Sequence, residues 1–313
     1  MRIAVMGAGS IGGYFGGMLA RGGNRVTLIA RGPHLMAIKQ KGLRIITDQG
    51  ELVTRCIATD DPAQVGPVDL ILLTVKTYHN PQAIPAMRPM VDRDTVVLCL
   101  QNGFNSYQAA ADIVGTEHVL PGAAYIEAGL AEPGVVTQNG PVVRVEFGEP
   151  DGSDTQRGQR ILQTLEKSGV PARFNLDIHQ ALWSKFLFIA TMAGVTTLAR
   201  QTMAQLMPRP EWRLFIAGCL EEVAAVGRAS GVQLDPDTID LTIRYIEGSL
   251  EQLQASMHSD ILAGRPLELE ALNGAVVRAG RKVNVPTPVN DYIYAMLKPF
   301  AGGQSQGRSI PRK

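Results

Sequence analysis

The fold is decided by the first residues of the chain, Met1-Arg-Ile-Ala-Val-Met6, followed by Gly7-Ala8-Gly9-Ser10-Ile11-Gly12. The first run is short and apolar, as in a buried strand. The second matches the pattern Gly-x-Gly-x-x-Gly, in which the first glycine permits a tight turn, the second lets the backbone approach a diphosphate, and the third lets a helix pack closely on the strand. The diphosphate then meets the free N–H groups at the N-terminus of that helix. A strand followed directly by this loop therefore predicts a dinucleotide-binding site at residues 7–12.

Short apolar runs alternate with helix-like segments from residue 1 to about residue 174. Several of the runs lack the alternation of apolar and polar residues, as expected for parallel strands that are buried on both faces. Repeated strand–helix–strand units with right-handed crossovers build a doubly wound parallel sheet. We therefore predict an α/β, Rossmann-type dinucleotide-binding domain over residues 1–174. Its predicted strands are Ile3–Met6, Val26–Ala30, Leu70–Val75, Val96–Leu100 and Val142–Phe147.

Two segments interrupt this alternation. Leu43–Cys56 contains the turn sequence Asp48-Gln49-Gly50, and Val135–Phe147 contains Asn139-Gly140. Because such pairs favour tight turns between strands, each segment is predicted to form a hairpin.

Strand patterns end near residue 175, and the rest of the chain has helical patterns. Asp235 followed by Pro236 is typical of an N-cap with proline at the first helical position, and Gly264 is typical of a helix stop. We predict an all-helical C-terminal domain over residues 175–301, and a disordered tail over the Gly/Ser-rich, basic residues 302–313. The predicted helices are Leu176–Arg200, Pro210–Ser230, Pro236–Ala263, Leu267–Lys282 and Val289–Leu297.

The charge balance of the chain restricts its partners. Its 313 residues include 30 Lys and Arg against 29 Asp and Glu, a formal net charge of +1. Nucleic-acid binding depends on a basic surface that neutralises phosphates, so this balance argues against a nucleic-acid partner. The balance does not exclude a small anionic ligand, because a few basic residues at one site can bind such a ligand. A hydrophobic content of 45% excludes a disordered chain.

Cysteine, histidine and hydropathy patterns indicate the compartment. Cys56, Cys99 and Cys219 are scattered without metal-ligand spacing, as expected for reduced thiols in a cytoplasmic protein. The five histidines are isolated, so we expect no metal. The first residues enter a strand at once, which leaves no room for a signal peptide. The longest apolar stretch, Phe186–Ala199, spans 14 residues. A membrane helix needs about 20, so we expect no membrane partner.

Three further candidate cofactor residues stand directly after predicted strands. Arg31 follows the second strand, where an NAD site has Asp or Glu for the ribose 2′-hydroxyl. A guanidinium suits a 2′-phosphate, so we predict NADP(H) rather than NAD(H); a solvated surface arginine is the alternative. Lys76 and Asn102 also follow strands, and ligands bind beyond the carboxyl ends of parallel strands. Their alternatives are a solvated loop lysine and a turn asparagine.

Lys185 interrupts the apolar segment Leu182–Phe188. A buried lysine is unfavourable unless it is paired, so Lys185 is a candidate proton donor to a carbonyl substrate. From the residues alone, a lysine at the helix edge that extends its ammonium into water stays the alternative.

Several segments occur together in a fixed order along nearly the whole chain. They are the glycine loop with Arg31, Val75-Lys76, Gln101-Asn102-Gly103, Trp183-Ser-Lys185, Ser256-Met257, and Gly264-Arg-Pro-Leu-Glu268-Leu-Glu-Ala-Leu-Asn273-Gly. In these segments the sequence resembles the ketopantoate reductase (2-dehydropantoate 2-reductase) family. The resemblance implies a Rossmann domain followed by a helical domain. It also implies NADPH-dependent reduction of 2-dehydropantoate to pantoate, a step of pantothenate and coenzyme A synthesis.

The resemblance also implies roles for individual residues. Lys185 is the general acid that protonates the developing alkoxide, and Glu268 holds Lys185 or the substrate hydroxyl and also contacts the cofactor. Ser256 hydrogen-bonds the substrate, and Asn102 lies between the cofactor ribose and the substrate. Without the resemblance, Ser256 and Glu268 are predicted to be ordinary helix-surface residues. The sequence leaves a monomer and a homodimer open.

Two positions depart from the family pattern. Many members have asparagines four and eight residues after the lysine, at positions held here by Ile189 and Ala193. These positions share a helix face with Lys185, so the pocket wall beside it becomes apolar. The change keeps open a reductase of a different, more apolar 2-oxo or 3-hydroxy acid. A non-catalytic dinucleotide-binding regulator is a further alternative, and Lys185 with Glu268 argues against it.

Overall fold

The computed structural model describes residues 1–249 and 255–303. The chain divides into two compact units, Met1–Ala181 and Leu182–Lys313. Two predictions fall partly outside the described residues. These are the disordered tail, from residue 304 onward, and positions 250–254 of the helix predicted over Pro236–Ala263.

The first unit is built on a ten-stranded sheet. Its strands are β1 (Arg2–Met6), β2 (Arg25–Ile29), β3 (Leu43–Thr47), β4 (Gly50–Thr54), β5 (Ile57–Thr59), β6 (Leu70–Leu73), β7 (Val96–Cys99), β8 (Val119–Glu132), β9 (Val135–Phe147) and β10 (Ala172–Phe174). The spatial order is β4-β3-β9-β8-β7-β6-β1-β2-β5, and β10 pairs with β9. From β5 to β8 all neighbours are parallel. The predicted α/β fold with a doubly wound parallel sheet is confirmed.

The central strands are buried on both faces, which explains their lack of alternation. The helices of this unit are α1 (Ser10–Arg21), α2 (Gly32–Lys41), α3 (Asn80–Ala86), α4 (Gln108–Val114) and α5 (Gln156–Lys167). Val5 of β1 faces one core, which includes Phe15 of α1. Its neighbour Met6 faces the other core, which includes Ile84 of α3. Each face of the sheet therefore needs apolar residues.

One of the two predicted hairpins is confirmed and the other is wrong. β3 and β4 pair antiparallel around the turn at residues 48–49. In contrast, β9 is one long strand that pairs antiparallel with β8, and the turn between them is at Pro133-Gly134. Asn139-Gly140 lies at an irregularity of this pairing, and Gly140 has a φ of +72°. A glycine with positive φ suits a bulge as well as a hairpin turn, so the local signal did not distinguish them.

The second unit is helical throughout its described part, as predicted. Helix α6 begins at the end of the first unit, and the remaining helices follow it. They are α6 (Ile178–Ala199), α7 (Met203–Leu206), α8 (Pro210–Ala229), α9 (Thr238–Gly248), α10 (Ser256–Leu262), α11 (Asn273–Val283) and α12 (Pro288–Leu297).

The start predicted for α9 is wrong by two residues. The helix begins at Thr238 with Asp237 as its N-cap residue. Oδ1 of Asp235 accepts a hydrogen bond from the Asp237 N–H at 2.9 Å, so Asp235 forms a turn before the helix instead of capping it.

Helix α6 is long and apolar enough to cross a membrane by length and composition, with a mean hydropathy of 1.4 in its most apolar window. Among the described residues, α6 is the one helix that meets this criterion, and 72% of that window is buried in the protein. A predominantly apolar helix of this kind also suits the core of a large unit.

Candidate active site

Four loops of the first unit lie at the carboxyl ends of neighbouring strands β2, β1, β6 and β7. In that order they carry Arg31, the glycine loop at residues 7–12, Lys76 and Asn102. Because the strands are parallel, these residues share one edge of the sheet, which we call the carboxyl edge. From β1 the chain adds β2 and β5 on one side of the sheet and β6, β7 and β8 on the other, so the strand order reverses between β1 and β6. Open α/β sheets bind ligands at such a switch point. The structure thus brings the four predicted cofactor segments of this unit together.

Steric contacts explain the glycines of residues 7–12. Gly7 has a φ of +102°, and a Cβ there would lie 2.6 Å from Cγ1 of Val75. A Cβ on Gly12 would lie 2.2 Å from the carbonyl oxygen of Gly7. Gly9 differs, because its φ is −71° and a Cβ there would meet no described atom within 4 Å. The fold requires the first and third glycines, whereas the second faces open space, as contact with a diphosphate requires.

Helix α1 presents its N-terminus to this space. Its N-cap residue is Gly9, no side chain among the described residues caps it, and its first turn contains no acidic residue. The N–H groups of such a helix end, together with the helix dipole, attract an anion. The glycine loop and α1 therefore fit the diphosphate of a dinucleotide.

Two polar side chains that the sequence reasoning missed hold the loops of the carboxyl edge. Oγ1 of the half-buried Thr74 donates to the carbonyl oxygen of Gly7 at 2.9 Å. Nε2 of the buried Gln101 donates to the carbonyl oxygen of Val75 at 2.7 Å and to Oδ1 of Asn80 at 2.6 Å. Each bond ties the end of one strand to the loop of its neighbour. Their only sequence signal was a polar residue at the end of an apolar run.

The surroundings of Arg31, Lys76 and Asn102 differ along the carboxyl edge. Arg31 is exposed and is the N-cap residue of α2. Burial lowers the pKa of His79, and the charge of Arg31 lowers it further. Lys76 is half-buried and precedes the turn that contains His79. The carbonyl oxygen of Asn102 accepts a hydrogen bond from Oγ of Ser106 at 2.5 Å, which bends the chain after β7.

The second unit brings Lys185 and Glu268 together. Lys185 is half-buried on α6, and Glu268 is 4% exposed. Burial lowers the pKa of the Lys185 ammonium to about 8, while the charge of Glu268 acts in the opposite direction and raises it. Each charge compensates for the burial of the other. A lysine with such a pKa can exchange a proton near neutral pH.

The predicted helix over Leu267–Lys282 is wrong at its start, so Glu268 does not lie on a helix surface. The carbonyl oxygen of Glu268 accepts hydrogen bonds from the N–H groups of Ala271 and Leu272, both at 3.1 Å. This turn precedes α11, which begins at Asn273. A position on a helix surface would expose the carboxylate, whereas the turn buries it.

The other predicted residues of the second unit are also located. Ser256 is exposed and is the first residue of α10. Ile189 is half-buried and Ala193 is 3% exposed, and both follow Lys185 on α6. The stripe that continues from Lys185 along this helix is therefore apolar.

A metal site and a reactive thiol are the two other kinds of site to consider among the titratable side chains of the described residues. Within residues 1–249 and 255–303, no group of three or more His, Cys, Asp or Glu side chains is placed to hold a metal ion. Cys56, Cys99 and Cys219 are free thiols. Burial raises the pKa of the Cys99 and Cys219 thiols to about 12, so neither supplies a thiolate near neutral pH.

Comparison with known proteins decides the class of enzyme. Residues 3–152 match the ketopantoate reductase PanE/ApbA family, and residues 177–301 match its C-terminal domain. The 2-dehydropantoate 2-reductase of Lactococcus lactis is 31% identical over 307 residues, which cover 95% of this chain and 97% of that protein. The chain belongs to the ketopantoate reductase family. It is therefore an NAD(P)H-dependent oxidoreductase that acts on CH–OH groups and on a small keto acid.

Solved structures of ketopantoate reductases and of a related dehydrogenase share the fold. A PanE/ApbA family ketopantoate reductase from Ralstonia eutropha JMP134 is 30% identical, with a TM-score of 0.89 over 96% of this chain and 98% of that one. D-mandelate dehydrogenase, in a ternary structure with NADH and anilino(oxo)acetate, is 27% identical, with a TM-score of 0.87 over 96% and 98%. Proteins that share this fold therefore carry different named activities, and NADH is the cofactor in the D-mandelate dehydrogenase structure.

Proposed function

We propose that this member of the ketopantoate reductase family reduces 2-dehydropantoate to pantoate with NADPH, a step in the synthesis of pantothenate and coenzyme A. The buried pair of Lys185 and Glu268 supports this reaction most strongly. A carbonyl reductase needs a proton donor beside the carbonyl oxygen, and the ammonium of Lys185, with a pKa of about 8, suits that task.

The reduced nicotinamide supplies the hydride when it is bound. Lys185 donates a hydrogen bond from Nζ to the carbonyl oxygen of the 2-oxo acid and transfers a proton to that oxygen as C2 accepts the hydride. The product is the 2-hydroxy acid, and Lys185 regains its proton from solvent. Glu268 holds the ammonium of Lys185 or the substrate hydroxyl.

The cofactor is assigned mainly to the carboxyl edge. Residues 7–12 hold the diphosphate, and Arg31 pairs with the 2′-phosphate, which favours NADP(H) over NAD(H). Lys76, Asn102 and Glu268 are further residues proposed for the cofactor.

The substrate is assigned mainly to residues of the helical part of the chain, together with Asn102. We propose residues 1–174 as the NADP-binding domain and residues 175–301 as the substrate and catalytic domain. Ser256 and Asn102 hydrogen-bond the substrate. Three free thiols support a cytoplasmic enzyme. A monomer and a homodimer are both compatible with this reaction, because one chain supplies every residue proposed for it.

The apolar stripe beside Lys185 favours a second candidate, the reduction of a more apolar 2-oxo acid. The side chains of Ile189 and Ala193 cannot hydrogen-bond a substrate hydroxyl. A site without such bonds has little preference for a substrate with a hydroxyl group over one without it. The similar fold of D-mandelate dehydrogenase supports this alternative.

Oxidation of NADPH by the purified full chain tests the two candidates. The substrates to compare are 2-dehydropantoate, phenylglyoxylate and the 2-oxo acid that matches 2-dehydropantoate without its hydroxyl group. We expect the highest kcat/KM with 2-dehydropantoate. A higher value for either apolar acid would identify the alternative substrate class. Binding of NADPH without turnover of any acid would contradict both candidates and identify a regulator.

A further inference from the structure

We propose that His34 is a positioning residue of the cofactor site, which fixes the direction of the Gly9 N–H by holding the carbonyl group of Ala8. His34 lies on α2 and is half-buried. Its Nε2 is 2.7 Å from the carbonyl oxygen of Ala8, inside the glycine loop. Its Nδ1 accepts a hydrogen bond at 2.9 Å from the N–H of Gly134, in the turn between β8 and β9.

These two contacts determine the state of the ring. The Gly134 N–H is a donor, so Nδ1 of His34 must be unprotonated. The proton of the neutral ring is then on Nε2, which donates it to the Ala8 carbonyl oxygen. Burial lowers the pKa of His34, and the bond to Ala8 opposes this effect. The neutral ring is therefore the form that both contacts require.

The bond to Ala8 controls the orientation of the next N–H group. In a planar trans peptide, the C=O of one residue and the N–H of the next point in opposite directions. Because the Ala8 carbonyl points at His34, the Gly9 N–H points away from it. The Ala8 N–H is itself bound to the carbonyl oxygen of Ile29 at 2.9 Å, and Ala8 is 2% exposed. The N–H and the carbonyl oxygen of Ala8 are both held by hydrogen bonds, so the peptide between Ala8 and Gly9 cannot rotate freely.

His34 is itself anchored on its other side. The carbonyl oxygen of Gly134 accepts a hydrogen bond at 2.9 Å from the N–H of Arg44, which ties the turn to β3. Arg31 is the N-cap residue of α2 and lies three residues before His34. One helix therefore carries both the residue proposed for the 2′-phosphate and the support of the loop proposed for the diphosphate.

This role of His34 rests on the proposed cofactor site, and two substitutions separate its two bonds. Nε2 of glutamine is as many bonds from Cα as Nε2 of histidine, so His34→Gln keeps a donor for Ala8 and loses the acceptor for Gly134. Oδ1 of asparagine is as many bonds from Cα as Nδ1, so His34→Asn keeps the acceptor and loses the donor. His118→Ala is the matched control, because Nδ1 of His118 lies 2.9 Å from the carbonyl oxygen of Thr95, at the opposite edge of the sheet.

The experiment is fluorescence titration of the full chain with NADPH, together with kcat at saturating NADPH. We expect His34→Ala and His34→Asn to raise Kd about tenfold, His34→Gln to stay within about twofold of wild type, and His118→Ala to leave Kd unchanged. We expect kcat to change little, because His34 supports cofactor binding and does not take part in proton transfer.

The outcomes separate this inference from the proposed function. A wild-type Kd in His34→Ala, or rescue by asparagine and not by glutamine, would overturn the role of His34 alone. If His34→Ala does not fold, the Kd of NADPH in His34→Gln is compared with that in His34→Asn, and a tighter Kd in His34→Asn would overturn the role of His34. A wild-type protein that binds neither NADPH nor NADH would overturn the cofactor site and this inference with it.

Discussion

The side-chain amide of Asn273 donates a hydrogen bond to the carbonyl oxygen of Ala190 at 3.2 Å. Ala190 lies on α6, five residues after Lys185, and Asn273 begins α11, five residues after Glu268. Asn273 is completely buried. One buried amide therefore connects the helix that carries Lys185 with the loop that carries Glu268.

Replacing Asn273 with alanine is expected to weaken the pairing of Lys185 with Glu268. The Glu268 charge raises the pKa of Lys185, so a looser pairing lowers that pKa. We expect kcat to fall about tenfold and the alkaline limb of the pH–rate profile to move to lower pH. Val276→Ala, which also truncates a buried residue of α11, should lower Tm without moving that limb. An unmoved limb in Asn273→Ala would contradict this connection.

Turnover is expected to fall as pH rises through about 8. Lys185 donates a proton only as the ammonium, and burial lowers its pKa to about 8, so the donor is lost above that pH and is present below it. Lys185→Ala should reduce kcat by about two to four powers of ten, with little change in the Kd of NADPH. The measurements are kcat as a function of pH and a titration with NADPH. Retained turnover in Lys185→Ala would exclude this role.

Glu268→Gln is expected to move the alkaline limb in a defined direction. Because the Glu268 charge raises the pKa of Lys185, its removal should shift the limb to lower pH and reduce kcat at pH 8. Glu270→Gln is the control, since this exposed carboxylate in the same loop pairs with Arg278 and Lys298. A shift to higher pH, or the same shift in the control, would show that Glu268 does not set this pKa.

Alanine substitutions at Gly9 and Gly12 should separate binding from folding. A Cβ on Gly12 would lie 2.2 Å from the Gly7 carbonyl oxygen, so Gly12→Ala should lower stability by about 1–3 kcal/mol. A Cβ on Gly9 meets open space at a negative φ, so Gly9→Ala should keep the wild-type Tm. We expect it to raise the Kd of NADPH at least about tenfold, because the methyl group occupies the diphosphate position. Thermal unfolding and NADPH titration check both; wild-type affinity in Gly9→Ala would place the diphosphate elsewhere.

Arg31→Ala should change cofactor preference. Loss of a charge-assisted contact with the 2′-phosphate is expected to raise KM for NADPH about tenfold or more and to leave KM for NADH nearly unchanged. Arg25→Ala is a matched control, since Arg25 is an exposed arginine at the other end of the same strand β2. Equal effects of Arg31→Ala on both cofactors would refute recognition of the 2′-phosphate.

Features set by neighbouring residues were predictable from the sequence. The run before Gly7 and the loop at residues 7–12 predict a strand, a turn and a helix from local chemistry alone. Buried parallel strands were recognisable by their continuous apolar runs, and the helices at Pro210–Ala229 and Pro288–Leu297 were predicted to within one residue at each end. These patterns depend on spacing within a single element, so one segment contains all the information.

Only the tertiary structure decided which distant segments meet. Val135–Phe147 forms one strand because β8 pairs with it on both sides of the irregularity at Asn139-Gly140. Glu268 leaves the helix because a turn buries its carboxylate near Lys185. His34 meets Gly134 at a distance of 100 residues along the chain. Buried polar groups take whichever partner the packing of separate elements brings within hydrogen-bond distance, and no local pattern encodes that choice.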